Sequence, residues 1–269
     1  EIRRQKVNIN TAFTVTGKRL QMGQLILDMP GHFKITGSGS LSSWQDMKRM
    51  KGTFILRGEL PDVTFAQSFL GKQGVHIPRH IDLLTRLKAD RGSWDAFMRM
   101  CCGQGCLTLD GVYKIPLQDY DAALSLNNFP LDQFLPADSL GKVTASVRLS
   151  GQDFSWQKAR AEVNAHIREC WYRGHEYRDV VLEAALDKTR LKGSLTSKDP
   201  DALLDLIFRA DSVGHEYVAD LSGRIGEIDV QALHFAPEPF TFRSDVDIHV
   251  TMGARETYSL QLKLDSLQI

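Results

Sequence analysis

Cysteine is scarce in this chain of 269 residues, with four in all: Cys101, Cys102, Cys106 and Cys170. Their spacing has no paired C-x-x-C ligands, which excludes the usual structural zinc patterns. Cys102 and Cys106 offer at most half of a metal site. Buried or free thiols account for the set, and one disulfide in an oxidising compartment stays open. An excess charge of either sign is also lacking, because Lys+Arg (33) equals Asp+Glu (33) and the pI is about 7.3. That removes the electrostatic footprint of a nucleic-acid binder, and no nucleic-acid partner is expected. No apolar run approaches the ~18–20 residues of a membrane-spanning helix, and the stretch Ala202 to Phe208 is interrupted by Asp205. Also missing are a G-x-S-x-G elbow, an H-E-x-x-H helix and a glycine loop that would cradle phosphate, so the sequence offers no enzyme signature and no cofactor.

Hydrophobic residues at 42% and charged residues at 25% place the chain among folded proteins. It opens at Glu1 without an initiator Met and stops at Ile269 within a strand-like pattern, so it reads as an excised piece of a longer protein. Strict alternation dominates. Val143, Ala145, Val147 and Leu149 share one face, opposite Thr144, Ser146, Arg148 and Ser150. Ala161, Val163, Ala165 and Ile167 repeat the pattern, as do Val180, Leu182, Ala184 and Leu186. Phe240, Phe242, Val246, Ile248, Val250 and Met252 carry it on, followed by Tyr258, Leu260, Leu262 and Leu264. Val7, Ile9, Phe13 and Val15 show it at the start, and Leu107, Leu109, Ala122, Leu124 and Leu126 in the middle.

Turn signals separate these runs, among them Thr16-Gly17-Lys18, Gly37 to Ser40, Ser197 to Pro200 and Met252-Gly253-Ala254. The expected fold is all-β: an antiparallel meander of hairpins forming one curved sheet with an apolar inner face. A short helix is expected over Asp62 to Leu70, capped by Asp62 and stopped by Gly71, with a second turn at Leu131 to Leu135. Arg79 to Met100 fits either a helical stripe or two strands joined at Arg91-Gly92, and the surrounding strands favour the latter. A segment 1–128 and a segment 129–269 are expected, continuous as one elongated sheet. Gly174-His175-Glu176-Tyr177 recurs as Gly214-His215-Glu216-Tyr217, which supports stacked hairpins.

Polar candidates have plain explanations. His76 and His80 are spaced as ligands on one helix face, but Pro78 between them argues against a helix. His175-Glu176 and His215-Glu216 stand at strand mouths, where neighbouring side chains point to opposite faces. Alanine at these four positions, or at Asp245 and Asp247, is expected to be nearly neutral. Asp245 and Asp247 are the best carboxylate pair for a β-solenoid lyase or hydrolase, being i and i+2 on one strand face. Trp44, Trp94, Trp156 and Trp171 are scattered, which weakens the alternative of a carbohydrate-binding or adhesive β-sandwich. Charges such as Glu162, Arg168, Arg178, Glu183, Lys192 and Arg209 suit a solvated outer face. The apolar face is the informative feature. A second sheet, closure into a barrel or a hydrophobic ligand must cover it.

The runs FPLDQFLPADSLG (Phe129 to Gly141) and VTASVRLSG (Val143 to Gly151) resemble the TamB family of Gram-negative envelope proteins, related to the AsmA-like group, in its long Bacteroidetes versions. The resemblance continues through YRGHEY (Tyr172 to Tyr177), LKGSLTS (Leu191 to Ser197) with Asp199-Pro200, and GEID (Gly226 to Asp229). It implies a parent anchored in the inner membrane and a periplasmic, taco-like trough. The implied role is phospholipid transport between membranes and support of outer-membrane protein assembly with a TamA-like barrel partner. Acyl chains would then lie along Val143, Val147, Val163, Ile167, Leu182, Leu206, Val246, Ile248, Leu260 and Leu262. The helix after Asp62 and the cysteine-rich 101–106 segment depart from a plain trough and could cap it.

Overall fold

A computed structural model of the chain describes residues 6–67, 75–136, 139–155, 157–213, 216–253 and 258–268. The alternating runs form strands except at Val7 and Phe240, which lie just outside them, and Gly37 to Ser40, expected as a turn, continues the strand Phe33–Ser42. The strand order follows the chain from first to last in one antiparallel sheet of sixteen strands. The chain divides into two compact units, Glu1–Asp138 and Ser139–Ile269. The first holds β1 (Asn8–Thr16), β2 (Arg19–Met29), β3 (Phe33–Ser42), β4 (Lys51–Leu60), β5 (Ile81–Asp90), β6 (Ser93–Cys102), β7 (Gly105–Lys114), β8 (Asp119–Pro130) and a one-turn helix α1 (Leu131–Phe134). The second holds β9 (Leu140–Gln152), β10 (Arg160–Tyr172), β11 (His175–Asp187), β12 (Arg190–Asp199), β13 (Ala202–Val213), β14 (Glu216–Asp229), β15 (Thr241–Met252) and β16 (Tyr258–Gln268).

The 79–100 segment is two strands. β5 and β6 pair from Ile81↔Cys102 to Asp90↔Ser93, and the two residues between them, Arg91 (φ 49) and Gly92 (φ 86), both adopt left-handed backbone. That is the geometry of a two-residue turn whose twist matches the strands it joins. Only part of the expected 62–70 helix is described, as a single 3-10 turn at Thr64–Ala66. The N-cap is Val63, without a side-chain cap, rather than Asp62, whose carboxylate instead accepts hydrogen bonds from the Thr64 backbone N–H (3.1 Å) and hydroxyl (2.6 Å) two residues on. Leu70 and Gly71 lie outside the described residues, as do Trp156, His215 and Ala254.

Register sorts the residues of the first unit into two faces. One rung reads Ile9, Leu27, Ile35, Gly58, Leu83, Met100, Leu107 and Leu126 from β1 to β8. The opposite face carries cross-strand pairs such as Lys51–Asp90 and Lys88–Asp95. Cys101 and Cys106, opposite each other on β6 and β7, form a disulfide on this polar face. Cys102 points to the other side and is buried, so the Cys102/Cys106 half-site suggested by spacing does not assemble: strand alternation separates the two sulfurs. Phe129 is 2% exposed and stacks on Phe134 of α1 at 5.1 Å.

Large apolar residues stay in contact with solvent. The edge strands show it most: Ile9 is 68% and Phe13 58% exposed on β1, and Leu260 67% on β16.

Candidate functional site

The site is the apolar face of the second unit. β9 brings Val143, Ala145, Val147 and Leu149 to it, and the β9–β10 register sets Val147 opposite Ala165 and Leu149 opposite Val163. Following the ladders outward, one rung reads Val147, Ala165, Leu182, Leu195, Leu206, Gly223, Val246 and Leu264. The next reads Leu149, Val163, Ala184, Gly193, Phe208, Leu221, Ile248 and Leu262. Ile167 pairs with Ala145 and Val180, and Leu260 with Val250, on the same side. All ten residues singled out from the sequence therefore share this face. Exposure along it is graded, from Val143 at 6% and Val246 at 5% to Leu262 at 56% on the edge strand.

Two features of this face escaped the alternation. Gly193 lies under the Phe208 ring: a Cβ there would stand 2.3 Å from the Glu183 carbonyl oxygen and 2.4 Å from Phe208 Cζ, so neither the neighbouring backbone nor the ring leaves room for a side chain. A dent of about 250 Å³ opens where Ala210 and Ala219 stand between Leu191 and Val250, beside Met252. Small residues in the middle of a rung of large ones leave room for a slender apolar group.

The opposite face carries exposed charge pairs, Arg160–Asp187 and Arg190–Asp211, each at 3.1 Å, and a His249–Asp220 contact at 2.6 Å. Such exposed pairs are worth little individually and keep this side solvated. Asp245 and Asp247 lie here on β15, both exposed, opposite Arg224 and Ser222 of β14.

The apolar face ends at a polar cluster. His175, Asp199 and Asp201 place ligand-capable atoms within 4.8 Å of one another, the one such group found among the described residues. Asp199 is 1% exposed. Its Oδ2 accepts the Arg178 N–H (2.9 Å), its Oδ1 accepts the Asp201 N–H (3.0 Å), and His175 Nε2 lies 3.3 Å from Oδ1. Backbone donors thus occupy both oxygens, and the carboxylate closes the β12–β13 turn while holding the start of β11. His175 also packs edge-on against Tyr177 at 4.7 Å. Burial, then the Asp199 charge, pushes the Tyr177 hydroxyl above its ordinary pKa. The reading of His175 as an ordinary strand-mouth surface residue is corrected here: its side chain is 12% exposed, and its partner sits 24 residues away, beyond the reach of local pattern. Burial likewise raises the pKa of the two free thiols, Cys170 and, with help from Asp132, Cys102.

Register makes a direct prediction. Val147→Asp places a carboxylate on the apolar side between the buried Val143 and Ala145 and its β10 neighbours, at a cost of about 2 kcal/mol. Arg148→Asp, on the solvated side, should stay within about 0.5 kcal/mol. Urea midpoints for the two variants that coincide would contradict the assigned faces.

Comparison with protein-family models, with curated proteins and with solved structures finds no match.

Proposed function

We propose that the chain is one segment of a TamB/AsmA-like, periplasm-crossing sheet whose apolar face carries phospholipid acyl chains between the inner and outer membranes, without a catalytic step of its own. The parent's partner in outer-membrane assembly is then a TamA-like barrel. The observation that carries this reading is an apolar face, continuous over eight strands of the second unit, whose outer strand leaves Leu260, Leu262 and Leu264 46–67% exposed. An acyl chain laid on it gains roughly 0.8 kcal/mol per buried CH₂, so such a face holds lipid by burial alone. The mixed-sign outer face provides no dedicated anion cluster, which fits low head-group selectivity. The Cys101–Cys106 disulfide suits an oxidising compartment such as the periplasm. A carbohydrate-binding sandwich would need a second sheet over the same face, whereas every described strand belongs to the one sheet.

Photo-crosslinking in cells producing the parent chain tests the proposal. A probe at Val163 or Ile248 should capture phospholipid, identified by mass spectrometry, and a probe at Asn164 or His249 should not. Capture of protein alone at the apolar positions would turn the segment into a closed scaffold.

A further inference from the structure

The disulfide lies outside the apolar face and calls for its own explanation. Cys101 and Cys106 face each other across β6 and β7, one pair in from the Gly103-Gln104 turn, and both are half-buried on the polar side. Besides the bond, the hairpin is held by a ladder that runs unbroken from Ser93↔Lys114 to Cys102↔Gly105. Cys102, next to it in sequence, is not placed to exchange with it: its thiol points to the other face, 3.4 Å from Gln133 Oε1 and 3.8 Å from the Arg79 carbonyl.

The charges around the two sulfurs differ. The Arg99 guanidinium, on the same face two residues before Cys101, stands 3.9 Å from Cys106 Sγ. On the other side, Asp82 of β5 is the cross-strand neighbour of Cys101. A thiolate leaving as Cys106 is stabilised by the guanidinium, while one leaving as Cys101 faces a carboxylate.

We propose that Cys101–Cys106 is a thiol-exchange site with a fixed direction, opened by an external dithiol that attacks Cys101 and expels Cys106. In the first step the attacking thiolate forms a bond to Cys101 Sγ, the Sγ–Sγ bond breaks, and its electron pair leaves on Cys106 Sγ beside Arg99. In the second step the other thiol of the reagent, deprotonated, attacks the mixed disulfide and releases Cys101. The dithiol is oxidised to its disulfide, two electrons reduce the cystine, and two protons end on Cys101 and Cys106. The polar face of this hairpin thereby becomes addressable by dithiol reductants without dismantling the sheet.

The test uses the whole oxidised chain and the neutral monothiol 2-mercaptoethanol, quenched with acid after short exposure and mapped by peptide mass spectrometry. The expected product is a mixed disulfide on Cys101 with Cys106 free. Arg99→Gln should slow opening by roughly threefold or more and erode the site preference, whereas Arg99→Lys should retain most of both. Dithiothreitol should then reduce the pair while amide hydrogen exchange of β5 to β8 stays protected. Adducts equally shared between the two cysteines, a rate indifferent to Arg99→Gln, or opening only in denaturant would overturn the proposal.

Discussion

Asp199→Ala is expected to destabilise the second unit by about 3–4 kcal/mol. The substitution leaves the Arg178 and Asp201 N–H groups without their acceptor in a part-buried setting, each at roughly 1–3 kcal/mol, and strips His175 of its partner. Asp199→Asn keeps one acceptor oxygen and should recover part of the loss. His175→Ala removes only the imidazole and should cost about 2 kcal/mol, well above the near-neutral value expected of a strand-mouth surface histidine. Segment-resolved hydrogen exchange in urea reads the effect where it arises, in β11 to β13, with the first unit as internal reference. A loss below about 0.5 kcal/mol for Asp199→Ala would show that the cluster is incidental.

The comparable expectation in the first unit concerns Phe129. It is 2% exposed and stacked on Phe134 with the rings tilted by 19°. Phe129→Ala should cost about 3–5 kcal/mol through lost burial and an unfilled cavity, whereas Phe129→Leu, closer in volume, should cost under about 1.5 kcal/mol. Since few described side chains are so enclosed, the alanine variant should release β7, β8 and α1 first and leave the second unit unchanged. A denaturation midpoint of the first unit that does not move would mean the aromatic stack is not its anchor.

How far the sequence could be read follows from how local each determinant is. Alternation is a two-residue signal, so the face of Val147, Leu182 or Val246 was legible from immediate neighbours, and the left-handed pair Arg91-Gly92 marked its own turn. The extended composition of one face followed directly. The fate of His175 did not, because the acceptor that defines it lies at Asp199, which as Asp199-Pro200 announces only a turn. The same limit applies to Phe129. Asn128, just before it, has a left-handed backbone (φ 47) that interrupts the strand pattern from which its direction would be inferred. Gly193 reads as a weak point in a strand until Phe208, a residue of the next strand, is seen to lie over it. Pairing of Cys101 with Cys106 needs the β6–β7 register, which the turn at Gly103-Gln104 sets only once both strands are established.

The sequential strand order has a kinetic meaning. Each ladder described joins strands that are consecutive in the chain, so loop closures are short and the entropy of each is small. Most β architectures must wait for remote segments to meet and fold slowly for that reason; a meander has the low contact order more typical of helical proteins. Folding can start at any hairpin and grow one strand at a time. A chain threaded unfolded through a narrow pore could zip up behind its leading end while the remainder is still in transit, and tension applied to a terminus would peel strands away in order rather than break the whole sheet at once.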